Sequence, residues 1–410
     1  MTVVLALLLS LQGEAPTFGK DQRLTAAVYR IPSDPRHAAE FLEMGKAGVE
    51  IALIPFQGAA EVLDPLIAAL ESLEKEGKRT PRLAPLIQPG TVPDLSPADV
   101  FYGKVPPRHA AHIDGRPVVW TAAAPAGSTT ERAAMAAAVS RLRRPPYLVS
   151  ETSWTDTSAD RTWATGALRG FALDLPVVSV TPGTTDRDDG KLYERLWYKA
   201  IRLEPRLILI ESWNGATDGV SEAGERKRKY LDLTQRFTRD FKVNEKPTLA
   251  KGKWTAESKV GYTVLYTPHE QGIRSVTVDD GLVDLVRLRG FEALSTKENK
   301  KGTVRRMCFD VEDSFWYFDK RSFQVVVEYL DLGEGSFSLE YDSADKALPA
   351  DQRGVKSAGA VTFANSGEWR THSFELPDAL FGNGQPGGSD FRLSVDKRGL
   401  SVRAVLVMKK

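Results

Sequence analysis

Between Leu24 and Phe241, short runs of aliphatic and β-branched residues alternate with longer segments whose apolar residues recur at helical spacing. Such alternation is typical of parallel strands joined by helices, and eight strands fit a closed barrel. We therefore predict a (β/α)8 barrel, with an irregular loop at Trp154–Thr165. The predicted strands are Leu24–Ile31, Val49–Phe56, Arg82–Gln88, Pro117–Ala123, Tyr147–Glu151, Ala167–Leu173, Val177–Val180 and Arg206–Glu211.

The pattern changes after Lys242. A polar stretch is followed, from about Trp254, by alternation of period two, as in Phe337, Leu339 and Tyr341. Alternation of this kind predicts antiparallel strands with one buried face, and glycine-rich turns separate them. We expect a barrel over 20–242, a linker over 243–253 and an all-β sandwich with jelly-roll-like character over 254–410.

The N-terminus carries a short apolar run from Val3 to Leu11. Its length is typical of the hydrophobic part of a signal peptide and is too short to span a bilayer. We therefore expect residues 1–15 to be a signal peptide and the protein to be secreted or periplasmic. The alternative is a hydrophobic first strand. The rest of the sequence predicts no membrane span.

Charge and cysteine content narrow the possible partners. Lysine and arginine number 55 against 54 aspartate and glutamate, so the net charge of +1 offers no field to attract nucleic acid or an anionic membrane. Cys308 is the single cysteine, which excludes an intramolecular disulfide and a thiolate metal cluster. The sequence has no phosphate-binding loop, HExxH or GxSxG motif. We predict no cofactor and no metal.

Carboxylates at two predicted strand ends are the main candidates for chemistry. The active sites of such barrels lie at the carboxyl ends of the strands, where Glu151 and Glu211 follow apolar runs. Glycoside hydrolysis requires a pair of acids, one to protonate the leaving oxygen and one to act as nucleophile or base. The alternative is that both glutamates form structural ion pairs with arginines. Candidate second acids in the neighbouring loops are Asp218, Glu222, Asp156 and Asp160.

Aromatic and amide side chains near the same strand ends predict a binding site for a neutral carbohydrate. Tryptophan rings stack on the apolar faces of sugars, while amide and hydroxyl groups bind the sugar hydroxyls. The candidate substrate-binding residues are Tyr29, Gln88, Trp120, Trp154, Trp213 and Asn214. In the sandwich, Trp316, Tyr317 and Trp369 are either exposed binding residues or core residues.

Four segments of the predicted barrel resemble one family: residues 45–54, Asp114–Trp120, Val180–Gly183 and Ile210–Asn214. They are similar to the glycoside hydrolase family 71 and 99-like superfamily, which includes endo-α-mannosidases, and particularly to its secreted bacterial branch. The resemblance covers roughly residues 20–242. The C-terminal part resembles the carbohydrate-binding sandwich often attached to such barrels.

The resemblance implies catalytic or near-catalytic glutamates after the eighth strand. In that motif Ser212, Trp213, Asn214 and Gly219 agree with the family, whereas Gly215 and Asp218 stand at the glutamate positions. Our first hypothesis is a secreted glycoside hydrolase that acts on a polysaccharide or glycan through Glu211, Asp218 and Glu151. The alternatives are a non-catalytic glycan-binding protein, which Gly215 favours, and a structural surface protein.

Overall fold

The chain folds into two compact units, Met1–Thr248 and Leu249–Lys410. The computed structural model describes residues 17–32, 36–128, 132–154, 159–166, 175–183, 190–221, 225–245, 252–264, 268–278, 283–296, 305–396 and 399–410. The predicted signal peptide therefore lies outside the described residues, as do the predicted strand Ala167–Leu173 and the candidate acids Asp156 and Glu222.

The first unit alternates strands and helices. Its strands are β1 (Leu24–Val28), β2 (Ile51–Pro55), β3 (Arg82–Ile87), β4 (His112–Ile113), β5 (Arg116–Thr121), β6 (Tyr147–Glu151), β7 (Arg161–Trp163), β8 (Val177–Val180) and β9 (Leu207–Ile210). Its helices are α1 (His37–Lys46), α2 (Asp64–Lys75), α3 (Pro97–Lys104), α4 (Arg132–Ser140), α5 (Lys191–Arg202) and α6 (Glu225–Val243).

Eight of these strands form a nearly closed parallel barrel in the order β7-β6-β5-β3-β2-β1-β9-β8. The register pairs Ala26 with Ile51 and Leu24 with Leu207, so β1 lies between the second strand and the last. The short β4 pairs with β5 in the antiparallel direction. Parallel strands all end at one side, which places the segments after them together at the mouth of the barrel.

Side chains alternate between two apolar cores along these strands. Leu24, Ala26 and Val28 belong to the cluster inside the barrel, whereas Ala27 and Tyr29 pack with the helices outside it. The same alternation holds in β9, where Leu207 and Leu209 face inward. Because side chains of a strand alternate between its two faces, each strand of this barrel directs every second residue toward the axis.

The sixth barrel strand differs from the prediction. It is β7, which lies within Trp154–Thr165, the segment predicted to be an irregular loop. Pairing of Val149 with Arg161 extends the sheet, and the Trp163 indole donates to the carbonyl of Thr121 at 3.0 Å. A three-residue strand stabilised by contacts to distant strands has too short a pattern to be detected in the sequence.

The second unit is a two-sheet sandwich built from twelve described strands. One sheet has the order β12-β15-β20-β17-β18, and in the other β21 pairs with β10, β14 and β16. The strands are β10 (Lys259–Val264), β11 (Pro268–Gln271), β12 (Ile273–Val276), β13 (Val283–Leu288), β14 (Phe291–Thr296), β15 (Arg305–Val311), β16 (Arg321–Leu330), β17 (Ser336–Tyr341), β18 (Lys356–Thr362), β19 (Trp369–Ala379), β20 (Phe391–Val395) and β21 (Ser401–Lys409), with one short helix, α7 (Ala350–Arg353).

Alternate residues of both sheets form the sandwich core, as in Phe323, Val325 and Val327 of β16 and Phe337 and Leu339 of β17. The predicted fold class, a (β/α)8 barrel followed by a β-sandwich, is confirmed. None of the helices in the described ranges combines the length and apolar character needed to cross a bilayer.

Candidate functional site

The alternation of side chains places three charged residues at the mouth of the barrel. Glu211 follows the inward-facing Leu207 and Leu209, and its amide donates to the Val180 carbonyl at 3.0 Å, which continues the pairing of β9 with β8. Arg30 follows Val28 in the same phase on β1, and Glu151 follows Val149 on β6. These residues therefore end three barrel strands on the side where parallel-barrel enzymes bind substrates.

The loop after β9, residues 212–221, is closed by its own backbone. The Gly219 amide donates to the Gly215 carbonyl at 2.9 Å, and the Ser221 amide donates to the Trp213 carbonyl at 2.8 Å. A Cβ on Gly219 would lie 2.6 Å from backbone atoms of Gly215 and 2.8 Å from the Trp213 carbonyl oxygen. Only glycine allows this close approach of backbone segments. The loop is thus a compact support for Asp218.

Asp218 is positioned by a hydroxyl and a guanidinium. Its Oδ1 accepts a hydrogen bond from Ser212 Oγ at 3.0 Å and lies 3.4 Å from Arg30 Nη1. A Cβ on Gly215 would lie only 1.8 Å from Asp218 Oδ1. The Asp218 carboxylate therefore occupies the space that a side chain at position 215 would need, so this place in the loop has a carboxylate although residue 215 is a glycine.

Glu211 is partly exposed and has an altered acidity. Its Oε1 accepts the Gly166 amide at 2.8 Å. Burial raises the pKa of the Glu211 carboxyl above its ordinary value of 4.5; the neighbouring Ser179 hydroxyl and the Gly166 amide oppose this shift, and the charge of Asp218 adds to it. Within the described ranges no arginine or lysine forms an ion pair with Glu211. The Glu211 carboxyl therefore keeps its proton to a higher pH than an ordinary glutamate does.

Glu151 has a different environment, because its side chain is 1% exposed and surrounded by donors. Its Oε2 accepts the Ser153 amide at 2.7 Å and the Ser153 hydroxyl, and its Oε1 accepts the Thr165 amide at 3.1 Å. Thr165 and Gly166 are consecutive, so their two amides connect Glu151 with Glu211. The linked glutamate oxygens are consequently within about 10 Å of each other.

The three predicted stacking tryptophans lie in the interior, which differs from the expectation of exposed indole faces. Trp120 is inside the barrel beside Trp163, and Trp154 packs with Ile87, Leu148 and other core residues. Trp213 belongs to the core between barrel and helices, where its Nε1 donates to Glu40 Oε2 at 2.8 Å. Burial of a large aromatic side chain contributes much free energy to folding, which explains why these three tryptophans lie in the core although they are near strand ends.

The other predicted binding residues are placed as follows. Tyr29 faces the helices, where its hydroxyl contacts His37 Nδ1 at 2.7 Å, so it is directed away from the mouth. The Asn214 side chain is hydrogen-bonded to the backbone of Arg30. Its Oδ1 accepts the Arg30 amide at 2.9 Å, and its Nδ2 donates to the Arg30 carbonyl at 2.7 Å. Gln88 is exposed at the end of β3 and donates to the Ala123 carbonyl. Gln88 is therefore the member of this set with an exposed side chain.

Asp160 lies at the opposite side of the barrel from the candidate acids. It precedes β7, and its Oδ2 accepts the Leu148 amide at 2.9 Å and an Arg116 nitrogen at 3.1 Å. Leu148 and Arg116 are near the beginnings of β6 and β5. The beginnings of barrel strands serve stability, so Asp160 is a structural residue and not a second acid of the mouth.

The predicted site residues do not include those that complete the mouth. Arg30 could have been preferred over Tyr29 by counting in twos from Leu24, because the inward phase of β1 ends at Arg30. Ser212 matches the family motif after the eighth strand but is not among the predicted site residues, although its hydroxyl positions Asp218. No feature of the sequence indicates Gly166, because its contact with Glu211 is made by a backbone amide that the fold brings there.

In the sandwich, the aromatic residues are mixed in exposure. Tyr317 is buried, whereas Trp316 and Trp369 are half-buried. The guanidinium of Arg403 lies 4.1 Å from the centre of the Phe291 ring and 5.3 Å from that of Trp369. Cations that stack on aromatic rings cover their faces. The Phe291–Trp369 pair is thus partly covered by the protein's own side chain.

No protein-family model and no curated protein matches the sequence. Among solved structures, the glycoside hydrolase family 99 endo-alpha-mannosidase of Bacteroides thetaiotaomicron, bound to bis-tris-propane, matches 54% of this chain and 98% of its own at 15% identity and a TM-score of 0.43. A Rubisco-like protein from Rhodopseudomonas palustris matches 56% of this chain and 66% of its own at 14% identity and a TM-score of 0.32.

The CBM22-1 xylan-binding domain of Paenibacillus barcinonensis Xyn10C matches 37% of this chain and 92% of its own, at 10% identity and a TM-score of 0.24. Likenesses this distant assign no function, and the fold assignment rests on the strand order and register described above. In the part of the chain that the structure describes, no three histidine, cysteine or acidic residues are grouped so that they could hold a metal ion.

Proposed function

We propose that this protein is a glycoside hydrolase whose barrel mouth cleaves a polysaccharide or glycan, with Glu211 as the general acid and Asp218 as the second carboxylate. The supporting observation is that two carboxyl groups near each other at the mouth have contrasting surroundings. Burial raises the pKa of Glu211, as an acid that must hold a proton requires. Asp218 lies beside the Arg30 guanidinium and accepts a hydrogen bond from the Ser212 hydroxyl.

Access to solvent favours Asp218 over Glu151 as the partner acid. The Asp218 side chain is 21% exposed and Arg30 beside it is 57% exposed, whereas Glu151 is enclosed. A nucleophile or a base must reach the sugar or a water molecule next to it. The loop geometry also supports this choice, because the Asp218 carboxylate fills the space next to Gly215.

The experiment is a screen of the purified protein against a panel of polysaccharides for release of reducing ends. We expect release by the wild type and a loss of about 10³-fold in Glu211→Gln and in Asp218→Asn, since general acid–base groups contribute about 10²–10⁴-fold. Glu50→Gln is the matched control, because Glu50 is a buried carboxylate bonded to Thr25 near the start of β1. Equal activity of Glu211→Gln and wild type would contradict the proposal.

A second candidate is a glycan-binding protein without hydrolysis. The contact between Arg30 and Asp218 favours it, because a carboxylate paired with a guanidinium is a poorer nucleophile or base. Binding of a polysaccharide without release of reducing ends, unchanged by Glu211→Gln, would support this candidate. Release by the wild type that is lost in Asp218→Asn while binding persists would favour the hydrolase.

We further propose that the protein is exported and meets its carbohydrate outside the cytoplasm. The apolar run Val3–Leu11 supports this location. Expression of the full sequence in a bacterial host, followed by N-terminal sequencing of periplasmic protein, is expected to show cleavage near residue 15. Uncleaved protein confined to the cytoplasm would contradict export.

A further inference from the structure

Glu151 and Glu211 are connected by two consecutive backbone amides. The Thr165 amide donates to Glu151 Oε1 at 3.1 Å, and the Gly166 amide donates to Glu211 Oε1 at 2.8 Å. These residues follow β7, whose Trp163 carbonyl accepts the Thr152 amide at 2.8 Å. The short segment Ala164–Gly166 therefore lies between the two glutamates and is attached to both.

The environment of Glu151 suits an anchor. Residue Glu151 is 1% exposed. Its Oε2 accepts hydrogen bonds from Ser153, and its Oε1 accepts the Thr165 amide at 3.1 Å. The amide of Glu151 is itself held by the Thr121 hydroxyl at 3.1 Å. A side chain so enclosed is fixed in one rotamer, and a fixed acceptor fixes the amides that donate to it. Glu211, in contrast, is partly exposed.

We propose that Glu151 is a positioning residue, which holds the Thr165 amide and thereby presents the Gly166 amide to Glu211. This inference rests on the proposed function only in naming Glu211 as the catalytic acid, because the contacts themselves do not depend on a substrate. It assigns Glu151 a role different from that of an acid, nucleophile or base. The Gly166 amide stabilises the charged form of Glu211, so its loss makes Glu211 a weaker acid.

The test follows the titration of Glu211 by NMR in protein labelled with ¹³C at glutamate carboxyl groups, with Glu211→Gln used to assign the signal. In Glu151→Ala, we expect the pKa of Glu211 to rise relative to wild type, because the Gly166 amide is no longer presented. In Glu151→Gln one oxygen remains to accept the Thr165 amide, so we expect a smaller rise. Glu50→Ala is the matched control, and we expect it to leave the Glu211 titration unchanged.

An unchanged Glu211 titration in a folded Glu151→Ala protein would overturn the proposal. If Glu151→Ala does not fold, Glu151→Gln and the Gly166 amide signal decide the question. In wild type, the ¹H shift of the Gly166 amide is expected to follow the Glu211 titration. A Gly166 amide signal that does not change over the Glu211 titration, in wild type and in Glu151→Gln, would also contradict the proposed role of Glu151.

Activity measurements distinguish a failure of the positioning role of Glu151 from a failure of the proposed hydrolase function. On a hydrolysed substrate, Glu151→Gln is expected to retain most activity and to shift the basic limb of the pH profile upward, whereas Glu151→Ala is expected to shift it further. A directly catalytic Glu151 would instead lose about 10²-fold or more in both variants without moving the limb. If no substrate is hydrolysed, the function proposal fails, while the titration still tests the positioning role.

Discussion

Two carboxyl groups, Asp331 in the sandwich and Glu211 at the barrel mouth, have pKa values shifted in opposite directions, although burial raises both. Asp331 is fully buried, yet it accepts hydrogen bonds from the amides of Ala364 and Ser366 and from the Ser366 hydroxyl, and Arg370 lies 3.3 Å away. Burial alone raises the pKa of Asp331, but the Ser366 hydroxyl and the turn amides lower it to a value below the ordinary 3.8.

Glu211 is less buried, but the Gly166 amide is its one backbone donor among the described residues, and its pKa is raised. The comparison teaches that the number of donors, and not burial alone, decides which protonation state a buried carboxyl prefers. A carboxylate surrounded by donors holds a turn together, as Asp331 does. A carboxyl with few donors retains a proton that it can transfer, which is the property proposed for Glu211.

The largest expected effect on stability is that of a substitution in the sandwich. Asp331→Ala leaves the amides of residues 364–366 without their acceptor, and we expect a loss of about 4 kcal/mol in the free energy of unfolding, measured with urea. Because the folded-state pKa of Asp331 is below 3.8, its stabilisation is complete above that value and disappears as the pH falls through the folded-state pKa. Glu375→Ala, at an exposed site on β19, should have little effect.

Substitutions of Gly219 and Gly215 test how the loop that carries Asp218 is packed at the barrel mouth. Gly219→Ala places a Cβ against backbone atoms that cannot move, and we expect a cost of about 3 kcal/mol. Gly215→Ala meets the side chains of Asp218, Ser212 and Arg30, which can rotate, so we expect about 2 kcal/mol and displacement of Asp218. Thermal and urea unfolding compare the two; a larger cost for Gly215→Ala would contradict this account of the loop.

Glu211→Gln is expected to stabilise the protein at neutral pH by about 1 kcal/mol, because active-site groups are commonly retained at a cost in stability. The raised pKa means that the folded state binds the proton more tightly than the unfolded state. Stability from this group is therefore greatest below the unfolded value near 4.5 and falls as the pH rises through the folded-state pKa. Calorimetry at several pH values should show the gain vanishing in acid; a gain independent of pH would argue against this origin.

The smallest expected effect is that of Arg30. Its guanidinium is 57% exposed and lies 3.4 Å from Asp218, so Arg30→Ala should change stability by only about 0.5 kcal/mol. On a hydrolysed substrate, the same variant should alter the rate more than the stability, because it removes the charge beside Asp218. Arg206→Ala, whose guanidinium donates to the Asp21 carbonyl, provides a control without a contact to the mouth.

Much of the barrel could be predicted because its strands bury both faces and are continuous apolar runs. The bounds of β6 and β8 agree with those predicted, since Tyr147–Glu151 and Val177–Val180 are short runs between polar segments. The prediction failed at β7, where Arg161 and Thr162 give no apolar run and pairing with β6 decides the conformation. It also treated every strand-end residue as a possible mouth residue, although alternation directs Tyr29 toward the helices.

The sequence by itself determined the fold class and the strand ends at which Glu151 and Glu211 are found, because local apolar patterns and the direction of parallel strands are sufficient for both. Only the tertiary structure decided which tryptophans are buried, that Asp218 fills the space beside Gly215, and that two amides after β7 join the two glutamates. These features depend on contacts between residues distant in the chain, and no local pattern of side chains specifies where a backbone amide will point.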